Sequence, residues 1–336
     1  MGGGGFKGKV FSHCFEKIIS VENLLASWRK FSRGKRDKKD VEEFSLFLMD
    51  NILELRTQLV QHTYTHGSYQ AFSINDPKPR RIHKASVGDR LVHHAIYRIL
   101  YPLFDRVFIS DSYSCRVSKG QHRAINRFRE FSRKVSNNNT GQCWILKCDI
   151  RKFFNNIDHE VLIRILNKRV QDKNCLNLLV NIIKSFSIKE GKGLPLGNLT
   201  SQLLVNIYMN EFDQFMKHKI KAKYYIRYAD DFVILSQDKT WLEELLPMIE
   251  DFLSKRLKLD LHPNKVSICT FASGIDFLGW IHFPNHRVLR TSTKKRMFRN
   301  IKNGRGNMDT IQSYLGLIKY GNSKKIESQI YKLVDN

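Results

Sequence analysis

Apolar residues recur along this chain with two periods, one helical and one extended. From Val41 to Val60, Phe44, Leu46, Leu48, Ile52, Leu55 and Leu59 keep helical spacing and predict one amphipathic helix. Similar patterns predict helices around Leu24, Leu25 and Trp28, over GDRLVHHAIYRILYPLFD (88–105), after Gly120, over HEVLIRIL, across Leu203–Phe215 and from Trp241 to Leu257. The end of the chain, after Arg290, is basic and helical with a glycine break near Gly304 and Gly306. Extended runs lie at YQAFSINDPKPRRIHKAS (69–86), at Trp144–Ile150, at a strand containing Lys265 and at FLGW (277–280). The first of these reads as a hairpin with a proline-bounded turn and a basic return strand that presents Lys78, Arg80, Arg81 and Lys84.

The most informative pattern is KYYIRYADDFVILS (223–236). An aromatic and β-branched run meets an almost wholly apolar one across Ala229, Asp230 and Asp231, which predicts a hairpin. The bend lacks the glycine or Asn-Gly that tight hairpins favour. Two adjacent carboxylates stand there instead, beside a buried strand. A solvated acidic turn is the plain explanation, since aspartate is a common turn residue. A divalent cation between the carboxylates is the other, because like charges crowded together need one. Asp149, near the C-terminal end of the strand Trp144–Ile150, is a third carboxylate that adjacent strands of one sheet could bring to the same place. Such a cluster can hold two magnesium ions roughly 3.5–4 Å apart, one activating a hydroxyl and one stabilising a leaving pyrophosphate.

Charge narrows the choice. Lysine and arginine total 57 against 32 acidic residues, a formal charge of +25 on 336 residues. That excess is the footprint of a polyanion partner, most often nucleic acid. The six cysteines contain no CxxC pair and read as reduced thiols of a cytoplasmic protein. No apolar run approaches the ~20 residues of a membrane span. HEVL lacks the second histidine of a zinc-protease helix, and neither a Walker loop nor a Rossmann fingerprint is present. Asp158, before HEVLIRIL, reads as a helix N-cap. Carboxylates able to hold two metals, in a strongly basic chain, predict nucleotidyl transfer on nucleic acid.

Five blocks in order resemble reverse transcriptases over nearly the whole chain: CDIRKFF (148–154), GLPLGNLTSQ (193–202), YADD (228–231), HPNKVSI around Lys265, and FLGW. The resemblance implies an α+β right-hand polymerase. Residues 1–68 would be an N-terminal helical extension and 69–142 the fingers. The palm would be 143–285, an antiparallel sheet with helices and finger insertions, and 286–336 a small helical thumb. It implies that Asp149, Asp230, Asp231 and the Ile150 carbonyl hold two Mg2+ ions, with Mn2+ a substitute. Phe154 matches the steric gate against a ribose 2′-hydroxyl. Lys78, Arg80, Leu196, Gly197, Gln202 and Lys265 match nucleotide-binding positions. Arg116, Lys119, Tyr228, Phe277, Leu278, Gly279 and Trp280 match template or primer contacts, the last four as a primer grip.

Many relatives carry glutamine before the glycine of the second block and end it with Ser-Pro. Here Leu196 precedes Gly197, and Ser201-Gln202 closes the block. This pattern, with DPKPRRI, DRLVHHAI and DSYSCRVSKG, resembles the enzymes of diversity-generating retroelements. Membership there implies error-prone copying of a template-repeat RNA, chiefly at template adenines, in mutagenic retrohoming. The partners implied are the RNA template, a DNA or RNA primer, deoxynucleoside triphosphates and a small basic accessory protein, with no membrane. The host would be bacterial, archaeal or phage. The alternatives are a retron-type or phage-defence reverse transcriptase, an RNA-dependent RNA polymerase, which Phe154 argues against, and a catalytically silent RNA-binding scaffold. Fewer than fifty residues follow Leu289, short of the ~100 a nuclease domain needs, so no added nuclease is expected.

Overall fold

A computed structural model describes residues 11–75, 79–302 and 308–334. Its helices and strands run in the order α1 (Phe15–Ile19), α2 (Val21–Ser32), α3 (Lys39–Leu46), α4 (Leu48–Val60), β1 (Gln70–Ile74), β2 (Arg80–Lys84), α5 (Val87–Asp105) and α6 (Gln121–Val135). Then follow β3 (Trp144–Asp149), α7 (Phe153–Asn156), α8 (His159–Asn167), α9 (Lys173–Lys184), α10 (Leu199–Gln214), β4 (Tyr225–Tyr228), β5 (Asp231–Ser236) and α11 (Lys239–Leu257). The chain ends with β6 (Ser267–Thr270), β7 (Ile275–Phe277), β8 (Trp280–His282), β9 (Arg287–Leu289), α12 (Thr291–Asn300), α13 (Met308–Ile318) and α14 (Lys324–Val334). Helices accompany sheets whose paired strands are antiparallel, which is the α+β class expected.

Two compact units divide these elements. The first holds residues up to 110, 151–215 and 251–260. In it α2 packs on α5, and α10 packs on α5 and α8. Ser86 starts α5 by accepting from the Asp89 backbone N–H, and Asp158 caps α8 by accepting from Val161 N at 3.0 Å, as its position predicts. The periodic stretch 41–60 forms two helices where one is expected. At Phe47 the backbone turns to φ −117°, ψ 42°, outside the helical region. Ile52, Leu55 and Leu59 remain buried, but the break turns Leu46 and Phe47 outward, 73% and 64% exposed.

The second unit holds 111–150, 216–250 and 261–336. Its centre is a four-stranded sheet in the order β4-β5-β3-β6, antiparallel throughout. Strand side chains alternate, so one face carries Ile145, Val233, Leu235 and Ile226. These pack with Ala124, Phe128, Phe131 and Val135 of α6 into one core. A three-stranded sheet, β7-β8-β9, follows. Trp280 and Leu289 from it join Met297, Ile311, Leu315 and Ile330 of the C-terminal helices in a second core. The predicted strand around Lys265 begins later, at Ser267, so Lys265 stands just before β6. The glycine break predicted near Gly304 and Gly306, like Lys78, lies outside the described residues.

Candidate active site

β3 and β5 pair in a register that sets Asp149 opposite Asp231. Tyr228 pairs with Asp231, which leaves Ala229 and Asp230 as a two-residue turn. Ala229 takes φ +55°, the positive φ that primed hairpin turns demand and that glycine normally supplies. An alanine there is strained by about 1–2 kcal/mol. The Asp230 carbonyl accepts from Ile150 N at 3.2 Å, which ties the turn to the end of β3. Asp149 and the adjacent pair Asp230 and Asp231, some eighty residues on, therefore share one end of one sheet, on the edge of its apolar core.

The electrostatics match that crowding. Burial pushes the Asp231 carboxyl up to about 6, with Asp230 and Asp149 adding negative charge and Asp149 accepting a hydrogen bond, while Lys147 pulls the other way. Lys265 Nζ donates to Asp149 Oδ1 at 2.9 Å. Among the described residues no three His, Cys, Asp or Glu side chains are gathered into a ready metal cage. The donor chemistry nonetheless fits magnesium, since the groups brought together are hard carboxylate oxygens beside the Ile150 main chain. A buried carboxylate held partly protonated by its neighbours is a group short of positive charge.

Support beneath the turn is not evident in the sequence. Arg227, 1% exposed, donates from Nη1 to the Ala229 carbonyl at 3.1 Å. Its backbone pairs with the Asp111–Tyr113 segment, where Arg227 N donates to Asp111 O and Tyr113 N to Arg227 O. Asp111, itself buried, accepts from Arg127 Nε at 2.9 Å and Lys217 Nζ at 3.3 Å. An arginine in the centre of an apolar strand is the only signal that could have marked this arrangement.

In the other unit, backbone hydrogen bonds join the expected nucleotide-binding positions. His83 N of β2 donates to Leu196 O at 3.0 Å, and Asn198 Nδ2 donates to His83 O at 2.9 Å. Gly197 has φ +99°, and a Cβ there would stand 2.7 Å from Ile82 Cγ2, so only glycine fits against the hairpin. Leu194 N donates to Phe154 O at 2.9 Å. Phe154 and Gln202 are half-buried, and Arg80 is exposed at the start of β2.

The expected template and primer contacts divide. In FLGW, Leu278 and Gly279 form the turn between β7 and β8, with φ +51° and +82°. Phe277 and Trp280 are buried in the two cores at 0% and 1% exposure, and only the turn of this block is partly exposed. Arg116 donates to Ser112 O and Oγ at 3.0 and 2.8 Å. Lys119 lies 5.1 Å from the Tyr113 ring centre, and Tyr228 is half-buried beside Asp231. Arg116 and Lys119 thus already make contacts within the fold.

A family model described as reverse transcriptase (RNA-dependent DNA polymerase) matches residues 74–282, more than half of the chain. The protein YkfC of Escherichia coli K12 is 25% identical over 72% of this chain and 73% of its own. The group II intron-encoded protein LtrA of Lactococcus lactis subsp. cremoris is 26% identical over 83% of this chain, which spans only 56% of LtrA.

Proposed function

Because the chain belongs to the reverse transcriptase (RNA-dependent DNA polymerase) family, with the α+β fold of a right-hand polymerase, we propose that it copies RNA into DNA by two-metal nucleotidyl transfer. The observation that carries this is the register of β3 on β5, which sets Asp149 opposite Asp231 beside the Asp230 turn. Asp149, Asp230, Asp231 and the Ile150 carbonyl are the groups we assign to hold magnesium or manganese. Bound there, the metals would supply an activated primer hydroxyl and neutralise the leaving pyrophosphate. Lys265, which donates to Asp149 Oδ1 at 2.9 Å, is the cation we assign to the pyrophosphate side, since a metal held by that carboxylate would leave its ammonium free. Arg80, and Lys78 beside it in sequence, take the triphosphate; Phe154 rejects a 2′-hydroxyl; Gly197 lets Leu196 and Gln202 reach the pairing nucleotide. The fingers, palm and thumb follow the boundaries given above.

The finer reading is error-prone copying of a template-repeat RNA. It rests on Leu196, whose aliphatic side chain makes no hydrogen bond of the kind glutamine would make, so pairing geometry is checked less tightly. We assign the small basic accessory protein of this reading to an exposed apolar surface in the first unit. Leu46, Phe47, Met49 and Leu53 are exposed there, among the exposed acids Glu42, Glu43, Asp50 and Glu54. Exposed Lys39, which pairs with Glu43 at 3.9 Å, and Arg56 offset part of that charge, and the net acidic balance left suits a basic protein better than nucleic acid.

Primer extension on a mixed-sequence RNA template, with magnesium and deoxynucleotides, tests both levels when the products are sequenced. Asp230→Ala should lower synthesis by about 10²–10³-fold or more. Errors concentrated opposite template adenine support the retroelement reading. Uniformly accurate cDNA points to an intron-, retron- or defence-type enzyme. No product, even with the native RNA and neighbouring proteins added, would leave an RNA-binding scaffold.

A further inference from the structure

At the end of the β4–β5 hairpin remote from the carboxylates lies an open groove of about 500 Å³. It is bounded by the C-terminal end of α6, the start of β4, the end of β5 and the start of α11. Ser236, on its floor, is five residues along β5 from Asp231, so the groove is about 17 Å from the turn at roughly 3.4 Å per residue. That distance separates it from the reacting groups.

Its lining is basic and aromatic. Lys134, Lys221 and Lys223 face it, with Asp238 the one acid, a balance of three positive charges to one negative. Lys221 and Lys223 are exposed and form no ion pair among the described residues, whereas Lys134 pairs with Glu130 at 2.7 Å. The Asp238 carboxylate is occupied, accepting from Trp241 N at 3.1 Å at the start of α11. Trp241 and Tyr224 contribute half-exposed rings. The Tyr224 ring is fixed by an edge contact to Phe131, with centroids 5.2 Å apart. Asn137 offers an exposed amide on one side.

We infer that this groove is a second nucleic-acid site, which holds an unpaired stretch of RNA while the carboxylates work on another part. Lysines along an open cleft track a phosphate backbone, and half-exposed rings stack bases. Only unpaired bases present their faces, so duplex is excluded as the ligand. An acidic protein would use the lysines but gain little from Trp241. The inference builds on the nucleic-acid reading of the chain but not on its catalysis.

The test uses the full chain without deoxynucleotides, its catalytic region filled by a saturating short primer–template duplex. Anisotropy of a fluorescein-labelled 15-nucleotide single-stranded RNA is followed at several salt concentrations. Lys221→Ala with Lys223→Ala should weaken binding about tenfold and flatten the salt slope by about one to two. Trp241→Ala should weaken binding with the slope unchanged, and Trp241→Phe should restore it. Extension of the short duplex by these variants should keep its wild-type rate. Unchanged affinity and slope in the lysine variant would overturn the groove, as would an equal loss of duplex binding or displacement of acidic peptide in place of RNA. If wild-type extension fails while RNA binding still depends on Lys221, Lys223 and Trp241, the groove stands and the polymerase reading falls.

Discussion

Asp231 carries the tension of the site in one side chain. Its carboxyl is raised to about 6 by burial and by Asp230 and Asp149. Above that pH the metal-free fold holds a charge it disfavours, so the raised value weakens stability as pH rises through 6. Asp231→Asn should therefore raise the melting temperature of the metal-free protein by a few degrees at pH 7.5, while synthesis falls sharply. Magnesium should stabilise the wild type more than the variant; equal shifts in calorimetry would remove Asp231 from the metal site. Gly197 carries a different constraint. Gly197→Ala meets both φ +99° and Ile82 at 2.7 Å, so it should cost roughly 1–2 kcal/mol and raise KM for deoxynucleotides, as steady-state kinetics would show. These residues were legible in the sequence because their type announces their chemistry: paired acids at a bend, a glycine in a loop before a helix. Arg227 and Asp111 were not, because the backbone hydrogen bonds that tie their segments together join positions over a hundred residues apart and leave no local pattern.

Elements were legible where one period ran uninterrupted. The hairpins 70–84 and 225–236, α5 and α11 lie within a few residues of where their patterns put them. The stretch 41–60 was misread because periodicity is blind to a single residue leaving the helical region, as Phe47 does. That break matters, because it turns Leu46 out of the expected apolar face, onto an exposed surface with Phe47, Met49 and Leu53. Phe47→Glu with Leu53→Glu should leave the melting temperature nearly unchanged, since neither side chain is buried. The same pair should weaken calorimetric binding of the proposed basic accessory protein at least tenfold. Unchanged affinity would seat that partner on another surface. FLGW shows a second limit: the motif predicted a contact, but motif residues can serve the fold, and Phe277 and Trp280 fill cores while Leu278 and Gly279 turn the chain.

At the scale of the whole molecule, class, order of blocks and charge could be read from the sequence, but titration behaviour could not, because it depends on burial. Burial lowers histidines in both units. In the first, burial and the neighbouring His66 hold His93 down to about 3, and burial with the nearby Lys35 and Lys30 holds His94 down to about 4. In the second, burial holds His282 down to about 4, although its ring nitrogen bonds the Phe277 carbonyl. Unfolded histidine titrates near 6.5, so between roughly pH 6.5 and 4 the unfolded chain binds protons that the folded one refuses. Stability from these three groups is complete above that window and is lost as pH falls, by roughly 1.4 kcal/mol per pH unit for each. Asp231 works in the opposite sense from 6 downward and offsets about one of them. Melting temperature should therefore fall from pH 6.5 to 4.5. His282→Gln keeps a donor for the Phe277 carbonyl but removes the titration, so it should flatten that fall by about half. A variant as acid-sensitive as the wild type would mean that protons reach His282 without unfolding its unit.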